Sequence, residues 1–178
     1  MEHYYQDIQG WFNFSSLYRR MVQEMPVGAR FAEVGCWKGR SAAFMGVEII
    51  NANKQQYLLC VDHWKGSEEH EKVPTNLFYQ FIHNVKPIMS CLGYIRSDSV
   101  KAAKPYEDGY FDFVFIDAGH DYDSVVADIK AWLPKVKKGG VIAGDDYPME
   151  GVSKAVKELI PNVQTGQENG WEYWWANV

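Results

Sequence analysis

The 178-residue chain is 47% apolar and 23% charged, which suffices to bury one globular core without disulfides or a structural metal. A formal net charge of -5 with no clustered Lys and Arg argues against a phosphate-backbone footprint, so the expected partner is a small molecule and not nucleic acid. Cys36, Cys60 and Cys91 stand far apart with no zinc spacing and read as reduced, buried thiols; the opening MEHYYQDIQG lacks the pattern of a signal peptide and no run is long enough to span a bilayer, which points to the cytoplasm and away from a membrane.

In chain order, residues 12 to 25 (FNFSSLYRRMVQEM) read as a helix that packs against a sheet or overhangs the site. Short runs rich in Val, Ile and Phe then alternate with amphipathic stretches: FAEV, YLLCV, YI at 94 to 95, FVFI and VIAG. That alternation predicts strand, helix, strand repeats and therefore a parallel sheet covered on both faces. Between the second and third runs, 63 to 75 (HWKGSEEHEKVPT) predicts a polar loop beside the site, and Asn76 to Cys91 a helix broken or kinked at Pro87. After FVFI, the spacing of Val125, Ile129, Trp132 and Val136 predicts a helix. Val152, Ala155, Val156 and Leu159, behind Gly151, predict another that Pro161 closes. The aromatic tail WEYWW reads as core and edge packing, with some rings able to cover a flat ligand. A single domain is expected over 1–178, with an N-terminal helical segment over 1–25 and the core over 29–178.

The first strand ends in EVGCWKGRS, Glu33 to Ser41, and a helix follows at once. Open parallel sheets bind ligands beyond the carboxyl ends of their strands, and Gly35 and Gly39 are placed to let backbone approach a ligand there; tight strand-to-helix packing is the competing explanation. The spacing fails the G-x-G-x-x-G dinucleotide fingerprint, because Cys36, Trp37 and Lys38 separate the two glycines and no third Gly follows before Gly46. Asp62 ends the second strand, where a carboxylate can accept hydrogen bonds from both hydroxyls of a ribose. The third strand ends in RSDS, which offers Asp98 to an exocyclic amine such as that of adenine, while capping of a following helix by Asp98 or Ser99 is the alternative.

The ordered set E-x-G-x-x-x-G-x-S, a strand-terminal Asp, SDS, FDFVFIDAGH and GGVIAGDDY resembles the class I S-adenosylmethionine-dependent methyltransferases, and within them the small-molecule O-methyltransferase branch of catechol-type and macrocin-type sugar methyltransferases. The likeness runs from about Ala29 to Tyr147. It implies an α/β, Rossmann-like, doubly wound sheet of seven strands with helices on both faces, the tail WEYWWAN forming an antiparallel last strand. It further implies S-adenosylmethionine as cofactor, with Glu33 and Gly35 at its methionine end, Gly39 and Ser41 in the same turn, Asp62 at the ribose, His63 on the adenine face, and Asp98 with Ser99 at the adenine edge.

Asp117, Asp145 and Asp146 each follow a strand and so gather at one sheet edge, where they repel one another unless a cation intervenes. Hard oxygen ligands suit Mg²⁺. The resemblance implies a metal held by an acid after the fourth strand and an acidic pair after the fifth, which matches these three positions, with Asp117 also lining the cofactor. Capping or turning by Asp145 and Asp146 without a metal is the alternative. His120, three residues beyond Asp117, stands where catechol-type enzymes carry a Lys and macrocin-type ones a His. An imidazole poised near neutral pH could take an acceptor hydroxyl's proton as general base. His3, His63, His70 and His83 receive no catalytic role, and DHWK at 62 to 65 is a coincidental match to a catechol-type motif. The expected function is Mg²⁺-assisted O-methylation of a small sugar-like or catechol-like acceptor, with a non-catalytic cofactor-binding module or a nicotinamide-dependent oxidoreductase as competitors, and with homo-oligomerisation open.

Overall fold

A computed structural model describes residues 1–66 and 73–178 of the chain. The five apolar runs form strands β1 (Arg30–Val34), β2 (Tyr57–Asp62), β3 (Leu92–Arg96), β4 (Phe111–Ile116) and β5 (Val136–Gly144), and the tail folds into the hairpin of β6 (Gln164–Glu168) and β7 (Trp171–Asn177). All seven join one sheet in the order β3-β2-β1-β4-β5-β7-β6. The first five are mutually parallel, and β7 runs antiparallel to both β5 and β6. The doubly wound sheet with its antiparallel last strand is therefore present as expected.

Helices α1 (Ser15–Glu24), α2 (Arg40–Ala52), α3 (Leu77–Val85), α4 (Ser99–Ala103), α5 (Tyr122–Trp132) and α6 (Glu150–Leu159) cover the two faces. Because strand side chains alternate, the central strands feed two separate cores. Phe31, Cys60, Phe113 and Phe115 face Tyr18 and Met21 of α1, Phe44 of α2 and Phe81 of α3. Val34, Val61, Val114 and Ile142 face the other way, against Val125, Ile129 and Trp132 of α5 and Val152 and Val156 of α6. Rings dominate the first core: Phe14 lies 4.2 Å from Phe115 and Tyr18 5.1 Å from the same ring, centroid to centroid.

The N-terminus of α1 has no cap from its own flanking residue, Phe14. Glu168 of β6 supplies one from across the fold, accepting from Ser15 Oγ at 2.6 Å, Ser16 Oγ at 2.9 Å and Ser16 N at 3.0 Å. An anion at a helix start is favourable both for the free N–H groups and for the macrodipole, so the last hairpin and the first helix are locked together.

Three boundaries differ from the expectations. Val136 leaves the predicted helix and begins β5, because α5 ends at Trp132 and a single 3₁₀ turn holding Pro134, which has no N–H to donate, redirects the chain. Similarly, α3 stops at Val85, and a 3₁₀ turn of Lys86–Ile88 carries Pro87. The first helix starts at Ser15, with Phe12 and Phe14 packed in the core as extended chain. The predicted 63–75 loop, His70 included, lies partly outside the described residues.

Strand order reverses direction between β1 and β4, so the crevice above their carboxyl ends is the sheet's topological switch point, the usual ligand position in such sheets.

Candidate functional site

Two glycines shape the turn from β1 to α2. Gly35 has φ +88°, and a Cβ built on it would lie 1.7 Å from the carbonyl oxygen of Asp117. Gly39 has φ +81°, and its Cβ would lie 2.8 Å from Val85 Cγ1 and 3.0 Å from Phe81 of α3. Both glycines are thus required first by the protein's own packing: one lets the β4 loop close over the switch point, the other seats the turn on α3. Tight packing, the competing explanation from sequence, holds for Gly39. Gly39, the N-cap residue of α2, brings no capping side chain.

Beneath the turn, Glu33 is almost fully buried, accepting from Tyr18 Oη at 2.9 Å and from Ser41 Oγ at 2.8 Å. Burial pushes its carboxyl up to about 7, against the opposing pull of the two hydroxyl donors. Sequence placed Glu33 and Ser41 in contact with a ligand, whereas here they bond each other under the loop. Tyr18, reaching in from α1, was invisible in sequence, because nothing marks which tyrosine of a helix meets a buried acid.

Asp62 ties three segments together. Its Oδ2 accepts from the backbone N–H of Cys36 at 2.9 Å and of Trp37 at 3.0 Å, and its Oδ1 from that of Trp64 at 2.6 Å. Trp64, buried against Phe78 and Phe81, donates its indole N–H to the Trp37 carbonyl at 2.8 Å. Both tryptophans hold left-handed backbone, φ +45° and +51°, which is costly for such residues and needs this support. Replacing Asp62 with Ala strands three amides, and the expected loss is about 3 kcal/mol. A thermal melt should fall by roughly 10 °C, and an unchanged melt would show the carboxylate to be dispensable for the loop.

Asp98 caps α4, accepting from Lys101 N at 3.1 Å, which is the capping alternative. Ser99 Oγ accepts from the indole of Trp132 at 3.0 Å and bonds Asp128. His63 is half exposed and accepts from Lys65 N at 3.0 Å. Among the predicted adenosine-side residues, Asp62 and His63 stand at the end of β2, and Asp98 and Ser99 at the end of β3 beside it.

Beyond β4 and β5, Asp117, His120 and Asp146 converge, with one ligand atom from each lying within 4.8 Å of the others. His120 Nε2 is 2.7 Å from Asp146 Oδ2. Asp146 sits at φ +57°, and its Oδ1 accepts from the indole N–H of Trp171 at 3.1 Å. Asp145 is buried behind them, and its Oδ1 has no hydrogen-bond partner among the described residues. The expected trio of acids is accordingly rearranged: His120 enters the cluster, and Asp145 is not among the converging atoms. A Cβ on Gly151 of α6 would come within 2.3 Å of the His120 carbonyl oxygen, so this glycine lets the His120 loop close down. A larger cleft of about 460 Å³ lies elsewhere, between Gln9, Lys38 and the outer side of α3, while the recess at the acids holds about 10 Å³. What distinguishes the small recess is the convergence of titratable groups, not its volume.

Burial, then the neighbouring Asp145 and Asp146, raise the Asp117 carboxyl well above the usual carboxylate range, and burial, then Asp146, push Asp145 up to about 7. A carboxyl whose folded pKa is raised holds a proton that the unfolded chain has already released. Asp145 and Glu33, both moved up to about 7, and Asp128, moved by burial up to about 6, therefore lose folding free energy as pH rises from about 4 to 7. Glu168 and Asp121, held below their usual values, act in the opposite sense only at lower pH. Without added metal, the melting temperature should peak near pH 5 and drop by several degrees at pH 8. A flat or rising curve across that window would contradict the buried, mutually repelling carboxyls.

A seven-stranded sheet of this order, with its antiparallel last strand, is the fold of the class I S-adenosylmethionine-dependent methyltransferases. The methyltransferase domain family matches residues 32–147, and the chain belongs to that family. An uncharacterised protein of Acanthamoeba polyphaga mimivirus is 26% identical over 149 residues, covering 80% of this chain and 64% of that protein, so the chain spans less than two thirds of this relative. A SAM-dependent O-methyltransferase from Thermotoga maritima is similar in structure with TM-score 0.67 at 12% identity, over 92% of this chain and 63% of that one. A candidate O-methyltransferase from Klebsiella pneumoniae is similar with TM-score 0.65 at 18% identity, over 93% and 78%. A candidate caffeoyl-CoA O-methyltransferase from Staphylococcus aureus reaches TM-score 0.67 at 12% identity, over 97% and 87%. No helix among the described residues is long and apolar enough to cross a membrane.

Proposed function

We propose that the chain transfers a methyl group from S-adenosylmethionine to a hydroxyl of a small acceptor, assisted by Mg²⁺. The observation that carries this reading is the convergence of Asp117, His120 and Asp146 at the switch point. The donor's adenosyl part would lie at the ends of β2 and β3, where Asp62 and Asp98 keep lone pairs beyond the backbone amides they accept, and its methionine part at the Gly35 turn and the start of α2, where Gly39 brings no capping side chain. The names of the structural neighbours from Thermotoga maritima and Klebsiella pneumoniae support oxygen as the methylated atom.

The donor set suits a hard cation: two carboxylates converge with an imidazole, and the Asp145 oxygen behind them lacks a partner. Asp117 and Asp146 would hold the ion, and each carboxylate oxygen bonded once keeps a free lone pair for it. When bound, Mg²⁺ would lower the pKa of the acceptor hydroxyl. Asp146 orients the imidazole of His120 and stabilises the cation formed when His120 takes the hydroxyl proton. When bound, S-adenosylmethionine would supply the methyl carbon to the acceptor oxygen, the electron pair of its broken carbon–sulfur bond staying on sulfur to leave a neutral thioether.

The 2.7 Å contact between His120 and Asp146 also suits a metal-free acid-oriented base. Radiolabelled methyl transfer to a panel of catechols and sugars, run with Mg²⁺ and with excess chelator, separates the two. Transfer abolished by the chelator and restored by Mg²⁺ supports the metal reading; transfer that survives the chelator leaves His120 and Asp146 as a dyad.

A further inference from the structure

Trp171 is the first residue of β7 and belongs to the aromatic tail that the sheet only partly absorbs: Tyr173 and Trp174 are buried in the cores, whereas Trp171 stays 37% exposed. Its indole N–H reaches out of the hairpin to Asp146 Oδ1 at 3.1 Å, while the other oxygen of that carboxylate faces His120 at 2.7 Å. Next to it, the carbonyl of Glu172 accepts from Tyr147 N at 3.2 Å, so two consecutive residues of β7 clamp the loop that follows β5. The clamped residue needs it, since Asp146 holds φ +57°, a conformation that a non-glycine residue adopts only when its surroundings enforce it. The hairpin is itself fixed next to Trp171, where its cross-strand partner Glu168 binds the start of α1.

We propose that Trp171 is a positioning residue for the reaction, its indole N–H fixing the carboxylate of Asp146 in the rotamer that faces Asp117 and His120. The inference rests on the proposed function for the meaning of that carboxylate, but the hydrogen bond can be tested apart from it. A carboxylate held from one side by a donor presents its remaining lone pairs in a set direction, as outer-shell donors do for ligands of a metal ion. Without the indole N–H, Asp146 keeps its charge and its backbone and loses its orientation.

The experiment compares the wild-type chain with Trp171→Phe, which keeps a packing ring and removes the donor, and with Trp171→Tyr as a second variant of similar bulk. Two readouts are taken: Mn²⁺ affinity by electron paramagnetic resonance, and the nitrogen-15 imidazole spectrum of His120 assigned with His120→Gln. Mn²⁺ binding is expected to weaken about tenfold in Trp171→Phe, the scale of a lost hydrogen bond to a charged group, and the His120 signals to shift, with melting temperatures of both variants close to wild type. Unchanged Mn²⁺ affinity together with an unmoved His120 spectrum in both folded variants would overturn the proposal. A wild-type chain that binds no Mn²⁺ removes the metal from the proposed function and leaves the His120 spectrum to decide: shifted signals support the positioning role, unmoved signals sink it.

Discussion

Gly35→Ala is expected to be the most damaging single substitution in the chain, lowering stability by about 4 kcal/mol and abolishing cofactor binding. The added methyl would meet the Asp117 carbonyl oxygen at 1.7 Å and its carbon at 2.4 Å, both backbone atoms that no rotamer change can move. Overpacking of this kind costs about 1–3 kcal/mol, and the left-handed φ of +88° adds about 1–2 kcal/mol for a residue with a Cβ. Relief requires β1 and the β4 loop to separate, and that separation pulls Asp117 away from Asp146 and opens the crevice. Urea denaturation and calorimetry of the purified variant measure both effects. A variant that melts within about 1 kcal/mol of wild type and still binds the donor would mean that the crossing of these two loops is not what sets the crevice.

Asp117→Asn should move stability and activity in opposite directions. The side chain keeps its shape but no longer has a carboxyl whose charged form is disfavoured by burial and then by Asp145 and Asp146, and which must take up a proton to fold, so the chain without added metal is expected to gain about 1 kcal/mol, or roughly 3 °C in melting temperature. Methyl transfer should fall by about a thousandfold, because an amide is a poor ligand for a hard cation and cannot balance charge beside His120. The two effects together separate a functional acid from a structural one. If Asp117 served only the fold, stability would drop; if the cluster took no part in chemistry, kcat/KM would stay within about tenfold.

The fold was legible in sequence where local periodicity and global topology agree. FAEV, YLLCV and FVFI are short apolar runs separated by helical patterns, and each became a strand of the parallel sheet. The spacing from Glu33 to Asp146 gave the order of the loops at the sheet edge. What failed was mostly a matter of boundaries and side-chain direction. Val136 fits the helical spacing, but Pro134 ends the helix before it. Glu33 and Ser41 lie in the ligand turn by sequence, yet they turn inward because Tyr18 offers a buried partner that only tertiary packing creates. Asp145 and Asp146 are adjacent and look equivalent in the string GDDY. The first is buried directly behind the end of β5, and left-handed backbone turns the second toward His120 and Trp171. The role of Trp171 could not be read before the hairpin register was known, since that register alone sets the start of β7 beside the loop after β5.

The proposed activity stands on recognition of one donor at the crevice between β1 and β4. Isothermal titration of S-adenosylhomocysteine into the purified, folded chain tests this most directly. The expected result is saturable binding at one site per chain, weakened by Asp62→Ala and lost in Gly35→Ala, with NADH giving no comparable heat. A folded chain that takes up neither S-adenosylhomocysteine nor S-adenosylmethionine would contradict the account, whatever cation the acids prove to hold.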